Sequence, residues 1–182
     1  MAQKSSKIMT LQSLRQMVVN IAKGISGVQY GSRPAPVTDV DLGELTGVAT
    51  DWIGAFFNTF ETEIADRENH LAGSGPVLAA VGAMGQDLLG LDQEQRRLTQ
   101  TRLLHSLRQV DWTKGKHWVG IAGNYTASGV FSVKGTKEVA YAVYNALTDH
   151  ENGGYHQIHV GQPEPRETGG PGALDDAVDG GR

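Results

Sequence analysis

Lys134, Gly135, Thr136 and Lys137 are the first residues that invite chemistry, set where a short apolar run, "GVFSV", meets a helical pattern, "KEVAYAVYNALTD". Lysine ammonium groups beside the free N–H groups of a helix start attract anions, a nucleic-acid phosphate among them. Thr136 suits the N-cap of that helix, because its hydroxyl can accept one of the unpaired N–H groups. The stretch is not a Walker loop. That loop places Gly-Lys-Ser/Thr after a glycine and four residues, so that backbone amides surround phosphate while the lysine reaches its outer oxygens. Here Gly129 and four residues precede Lys134-Gly135-Thr136, and the lysine falls on the wrong side of the glycine. Two readings stand: a phosphate contact, or a capped helix that follows a hairpin.

Other groups offer less. In "QEQRRLTQTRLLHSLRQV" the spacing places Arg97, Thr101, His105 and Arg108 on one polar face, and guanidinium groups fit phosphate bidentately. From Asp92 to Thr148 eight basic residues meet four acidic ones, a net +4 that leaves −8 for the rest of the chain. Such a segment suits an anionic partner, and it equally suits a solvated helix surface. His150, His156 and His159 lie close together, but "ENGGYHQIHV" reads as a turn followed by a strand, with no acidic pattern to complete a metal site. The glycines of "AGSGPVLAAVGAMG" follow no strand, which argues against a dinucleotide loop. No Gly-x-Ser-x-Gly, no His-Glu-x-x-His and no nucleophile with its base is present, so no catalytic residue, metal ligand or cofactor is assigned.

The elements that must position these residues are mostly helical. Leu11, Leu14, Val18, Ile21 and Ile25 recur at helical spacing within 9–25. Leu45, Val48, Trp52, Phe56, Phe60 and Ile64 form a longer stripe in a helix expected over 41–68, and it should be the central buried face. Ser74 and Pro76 signal a helix start near 76–89, where Ala79, Ala80, Gly82, Ala83 and Gly85 would let another helix approach closely and Gly90 would close the end. Asp92 and Gln95 make a capping box for a helix over 92–109, which would bury Leu98, Leu103, Leu104 and Leu107. A hairpin near 117–133 precedes the last helix, 136–148. The fold expected is mostly α (α+β), a helical domain over 1–160 with a small β-hairpin. Residues 161–182, Gly/Pro-rich with net charge −3, read as a disordered acidic tail. The chain has no cysteine, no uninterrupted apolar h-region at its N-terminus and no run long enough to span a bilayer, which reads as a soluble, cytoplasmic protein without a membrane partner.

"LTQTRLLHSLRQVDWTKGKHWVGIAG", followed by "GVFSVKGTKEVAYAVYNALTD", resembles the C-terminal half of the DndB family. These are proteins of the bacterial DNA sulfur-modification (phosphorothioation) system, related to proteins with the Asp-Gly-Gln-His-Arg (DGQHR) motif. The similarity lies in a Leu/Arg helix, an Asp-Trp pair, a Trp-x-Gly strand and a Gly-Thr-Lys-Glu helix start. "DWIGAFFNTF" and "AGSGPVLAAVGAMG" look similar to the region before that helix, so the resemblance covers most of residues 9–160. It implies a DNA-binding regulator or accessory factor of the modification genes, with DNA and other sulfur-modification proteins as partners. The family's motif, expected in the N-terminal half, is absent here, so the resemblance supports no enzymatic assignment. It implies a C-terminal fragment, or a partner of a separately encoded half. Trp52, Phe56 or Phe57 would then be exposed where that half docks. A non-catalytic docking module and an enzyme with an unrecognised phosphate site remain as alternatives. On the DNA reading, Lys134, Gly135, Thr136 and Lys137 would meet backbone phosphate, and Arg97 and Arg108 would extend that surface if their helix lay alongside.

Overall fold

Most α-helix starts among the described residues are set by short polar side chains that accept the first free N–H groups. In the computed structural model, which describes residues 9–160, α1 (Leu11–Lys23) begins where Thr10 Oγ1 accepts the Ser13 N–H at 3.1 Å. Asp41 Oδ1 does the same for Glu44, at 2.7 Å, opening α2 (Leu42–Thr59). At Phe60 the backbone leaves helical geometry, and the chain resumes as the short α3 (Glu61–Ala65), so the expected 41–68 helix is broken near its end. The stripe runs through that break intact. Leu45, Val48, Trp52, Phe56, Phe60 and Ile64 are all buried, each worth about 1.5–3 kcal/mol for a large apolar side chain.

The helix α4 (Gly75–Met84) crosses this layer closely. A β-carbon at Gly82 would lie 2.7 Å from Met17 Cα, and one at Gly85 would lie 2.6 Å from Trp52 Cδ1. The small residues expected to permit close approach therefore do so at these two positions. Two polar ties cross the same contact: Asn20 Nδ2 donates to the Ala79 carbonyl at 2.8 Å, and Trp52 Nε1 donates to the Val81 carbonyl at 2.8 Å. Ser74 departs from expectation. It makes no side-chain cap, and its Oγ is buried without a partner, because the loop turns that hydroxyl inward rather than toward the helix amides.

The capping box forms as read. Asp92 Oδ1 accepts the Gln95 N–H at 2.8 Å and Gln95 Oε1 accepts the Asp92 N–H at 3.2 Å, opening α5 (Gln93–Arg108). Leu98 was expected in the core and is 54% exposed, while Leu103 and Leu104 are half-buried and Leu107 is buried. At about 100° per residue, Leu98 sits on the side of the helix opposite Leu107, and only one side of α5 packs on α2 and on the 3₁₀ turn at 85–88.

β1 (Gly123–Tyr125) and β2 (Phe131–Val133) pair antiparallel with Asn124 opposite Ser132, and Gly129 takes φ +78° in the turn between them. His117 and Trp118, expected in the first strand, instead belong to a 3₁₀ turn at 116–118 that buries Trp118. After β2 comes α6 (Lys137–Thr148), packed on α4 and on the 3₁₀ turn at 24–29. The last element overturns a strand expectation: α7 (Gly153–Ile158) is helical, because Asn152 Oδ1 caps it at the Gly154 N–H and Tyr155 and Ile158, three apart, bury together. Extended backbone survives only beyond it, where Val160 N–H donates to the Gln109 carbonyl and Asp111 N–H to the Ile158 carbonyl. Leu71 N–H likewise bonds the Trp112 carbonyl at 2.8 Å, tying a third loop to this one.

Trp52 and Phe56 are completely buried and Phe57 is half-buried. The exposed docking face expected there does not exist, since α4 covers Trp52 and an aromatic series covers Phe56. That series runs Phe56 to Phe60 at 5.1 Å, Phe60 to Trp112 at 5.7 Å and Trp112 to Trp118 at 5.9 Å between ring centres. Among the described residues no helix is long and apolar enough to cross a membrane. The tail expected to be disordered, 161–182, lies outside the described residues.

Candidate functional site

The Lys-Gly-Thr-Lys turn is built by the hairpin on one side and by α6 on the other. Lys134 continues the pairing of β2 by donating its N–H to the Ala122 carbonyl at 3.1 Å. Gly135 then carries the chain to Thr136, whose Oγ1 accepts the Val139 N–H at 3.3 Å as the helix cap. Lys134, Gly135, Thr136 and Lys137 are all exposed. Lys137 Nζ reaches back to the turn at 24–29, donating to the Gln29 carbonyl at 3.3 Å and to Gln29 Oε1 at 3.4 Å.

What sequence reading could not supply is the company this turn keeps. Gly135, Thr136 and Lys137 line one side of an open groove of about 350 Å³. Gln12, Ser13 and Gln16 of the α1 start line another side, and Gly75 and Pro76 of the α4 start a third. α4 packs against both α1 and α6, so three helices bring their first turns to one depression. The first N–H groups of a helix have no intrahelical partner, and each helix start behaves as roughly half a positive charge. The groove thus collects three such positive ends with Lys137 at its edge, although the Ser13 and Val139 N–H groups are already taken by the Thr10 and Thr136 hydroxyls and Pro76 has no N–H to give. Pro76 and Thr136 each advertise a helix start in the sequence, and the first helix is marked only by its apolar stripe. Their convergence depends on the close α1–α4 approach at Gly82; the small residues announce a close approach, but no local pattern names α1 as the partner.

One group opposes an anion here. Glu138, in the first turn of α6, has its carboxyl held below the ordinary carboxylate range by its own backbone N–H, then by the Thr136 hydroxyl, with Lys137 adding to the effect. It stays ionised and offsets part of the positive field.

Arg97 and Arg108 do not join this site. α5 packs on α2 and the 85–88 turn and contributes nothing to the groove lining. Arg97 is engaged by Glu94 one turn earlier, with Nη2 at 2.7 Å and Nε at 3.0 Å from its carboxylate oxygens. Arg108, like Thr101 and His105, is exposed on the same outer face, as the spacing expects. The condition for a shared surface, that the two helices lie alongside, is not met.

The three histidines gather around Tyr155 rather than around a common centre. Ring centres lie 3.7 Å from it for His159, 4.3 Å for His150 and 5.7 Å for His156. Among the described residues no group of three or more His, Asp or Glu side chains is placed to hold a metal ion. Of the protein-family models, the curated proteins and the solved structures compared with this chain, none matches it.

Proposed function

We propose that this chain is a non-catalytic, DNA-associated module of a bacterial DNA sulfur-modification system, similar to the C-terminal half of DndB proteins and acting in the cytoplasm as a regulator or accessory factor. Its contact with DNA is a backbone contact. The observation that supports this reading is the groove where three helix starts converge beside Lys137, with Lys134 exposed in the same turn. Helix-start dipoles and lysine ammonium groups attract phosphate and carry no base information. Affinity should therefore be uniform across duplex sequences and steep in salt. Arg97 and Arg108 sit on a separate face and take no part in this contact. Trp52 and Phe56 are buried, so they offer no exposed face for docking.

The test is duplex binding by fluorescence anisotropy across a salt series. Replacing Lys134 and Lys137 together by Ala should weaken binding and flatten the slope of log K against log salt by about two units. Thr136→Ala should instead lower stability by about 1 kcal/mol through the lost cap. If the double lysine change leaves affinity and slope untouched, the turn is only a strand-to-helix connection.

A further inference from the structure

A buried histidine that the groove does not use sits at the end of α7. His159 is 5% exposed and stacks on Tyr155 with an interplanar angle of 20°. Its Nδ1 lies 2.8 Å from the Tyr155 carbonyl oxygen. A carbonyl only accepts, so Nδ1 carries the hydrogen. The other nitrogen, Nε2, is buried and has no hydrogen-bond partner among the described residues. A neutral ring tolerates that position, because an unprotonated nitrogen forgoes one acceptor bond. A charged ring does not, because it would hold an unpaired N–H and a full charge away from water.

Among the described residues no carboxylate is turned to the ring to relieve such a charge. From the α6–α7 connection, His150 rests against Tyr155, and Asp149 accepts the Glu151 N–H. From the paired 109–111 segment, Asp111 turns its carboxylate to Thr113 and to His117 of the 116–118 turn. Arg108 and Lys116 are exposed. On α7 itself stands His156. Burial pushes the His159 imidazole below its ordinary value, the Tyr155 carbonyl pulls the other way, and His150 and His156 add to the lowering.

The geometry points to a proton-operated latch: α7 stays seated on α6 and the 116–118 turn while His159 is neutral, and releases when the ring takes a proton. Release would uncover Tyr155 and Ile158 and break the Val160–Gln109 and Asp111–Ile158 bonds. The sign follows from linkage. The open state binds a proton at about pH 6.5 and the seated state only at lower pH, so the stability of the seat is complete above about 6.5 and lost as pH falls below it.

Amide hydrogen exchange on the full chain at pH 7.5 and pH 5.5, corrected for intrinsic rates, reads the seat directly. The opening constant of 153–160 should rise by up to about tenfold per pH unit below 6.5, while α4 amides hold their protection. His159→Phe keeps the stacked ring, and the residue 159 N–H still bonds the Tyr155 carbonyl, at 3.1 Å in the native chain. This variant should lose the pH dependence, whereas His150→Gln and His156→Gln should keep most of it. In the unaltered chain, ring nitrogen shifts should show the Nδ1–H tautomer and titration below 6.5. The latch is overturned if His159 titrates at or above its ordinary value, if α7 protection is the same at both pH values, if α4 loses protection in step with it, or if His159→Phe retains the slope.

Discussion

Gly82→Ala adds one methyl group to the chain, and the structure fixes where it must go. The new carbon would stand 2.7 Å from Met17 Cα and 2.8 Å from the Met17 carbonyl oxygen. Both are backbone atoms, so no side chain can swing aside, and α1 must move away from α4 by several tenths of an ångström or more. Overpacking of this kind costs about 1–3 kcal/mol. Against it stands the helix-propensity gain of Gly→Ala, about 0.8–1 kcal/mol. Gly47 supplies the control: it lies exposed in α2 with nothing within 4 Å of an added β-carbon, so Gly47→Ala should realise the gain alone. Urea melts of the two variants should therefore move in opposite directions, with Gly82→Ala the less stable by about 1–3 kcal/mol. If Gly82→Ala matches Gly47→Ala, the close contact of α1 and α4 is wrong. The three-helix groove, which depends on that contact, falls with it.

Two further expectations concern charge. Glu138→Gln removes the ionised group that opposes anions at the start of α6, so duplex affinity should rise and the variant should stay salt-sensitive; unchanged affinity would separate the groove from DNA contact. Asp111 is pushed up by burial, and the Thr113 hydroxyl and N–H with nearby His117 and His70 more than offset this, leaving it below the ordinary carboxylate value. Its contribution to stability is present above about pH 4 and lost as pH falls through the lowered value, so Asp111→Asn should flatten the acid limb of a thermal-melt series. An acid limb identical to that of the unaltered chain would refute the carboxylate's role.

Much of the scaffold was legible because local chemistry and tertiary packing agree. The Asp92–Gln95 capping box and the Thr136 cap are satisfied by bonds within a single turn, and the Leu45–Ile64 stripe repeats with the helical period over its whole length. Leu98 misled because a leucine-rich helix has more apolar positions than the one side that packs. The α7 segment reads as a turn and strand because of its two glycines and β-like ending, and its helix is settled by the Asn152 cap and by Tyr155 and Ile158 becoming buried. Within the candidate site, Lys134 to Lys137 were visible as a helix start. The first turns of α1 and α4 were visible only as separate starts, since residues some sixty positions apart meet there.

The chain's three tryptophans are Trp52, Trp112 and Trp118, and each is almost wholly buried. Optically they form two unlike reporters. Trp52 stands alone, its indole fixed to the Val81 carbonyl of α4, so its emission follows the contact between α2 and α4. Trp112 and Trp118 lie nearly parallel, 21° apart with ring centres at 5.9 Å, close enough for their electronic transitions to couple into a paired near-ultraviolet dichroism signal. Loss of the paired signal marks separation of the 112 segment from the 116–118 turn, and a red shift of the lone indole marks the parting of α2 from α4. An unlabelled sample thus distinguishes loosening of the aromatic layer, by dichroism, from loosening of the helix pair, by emission.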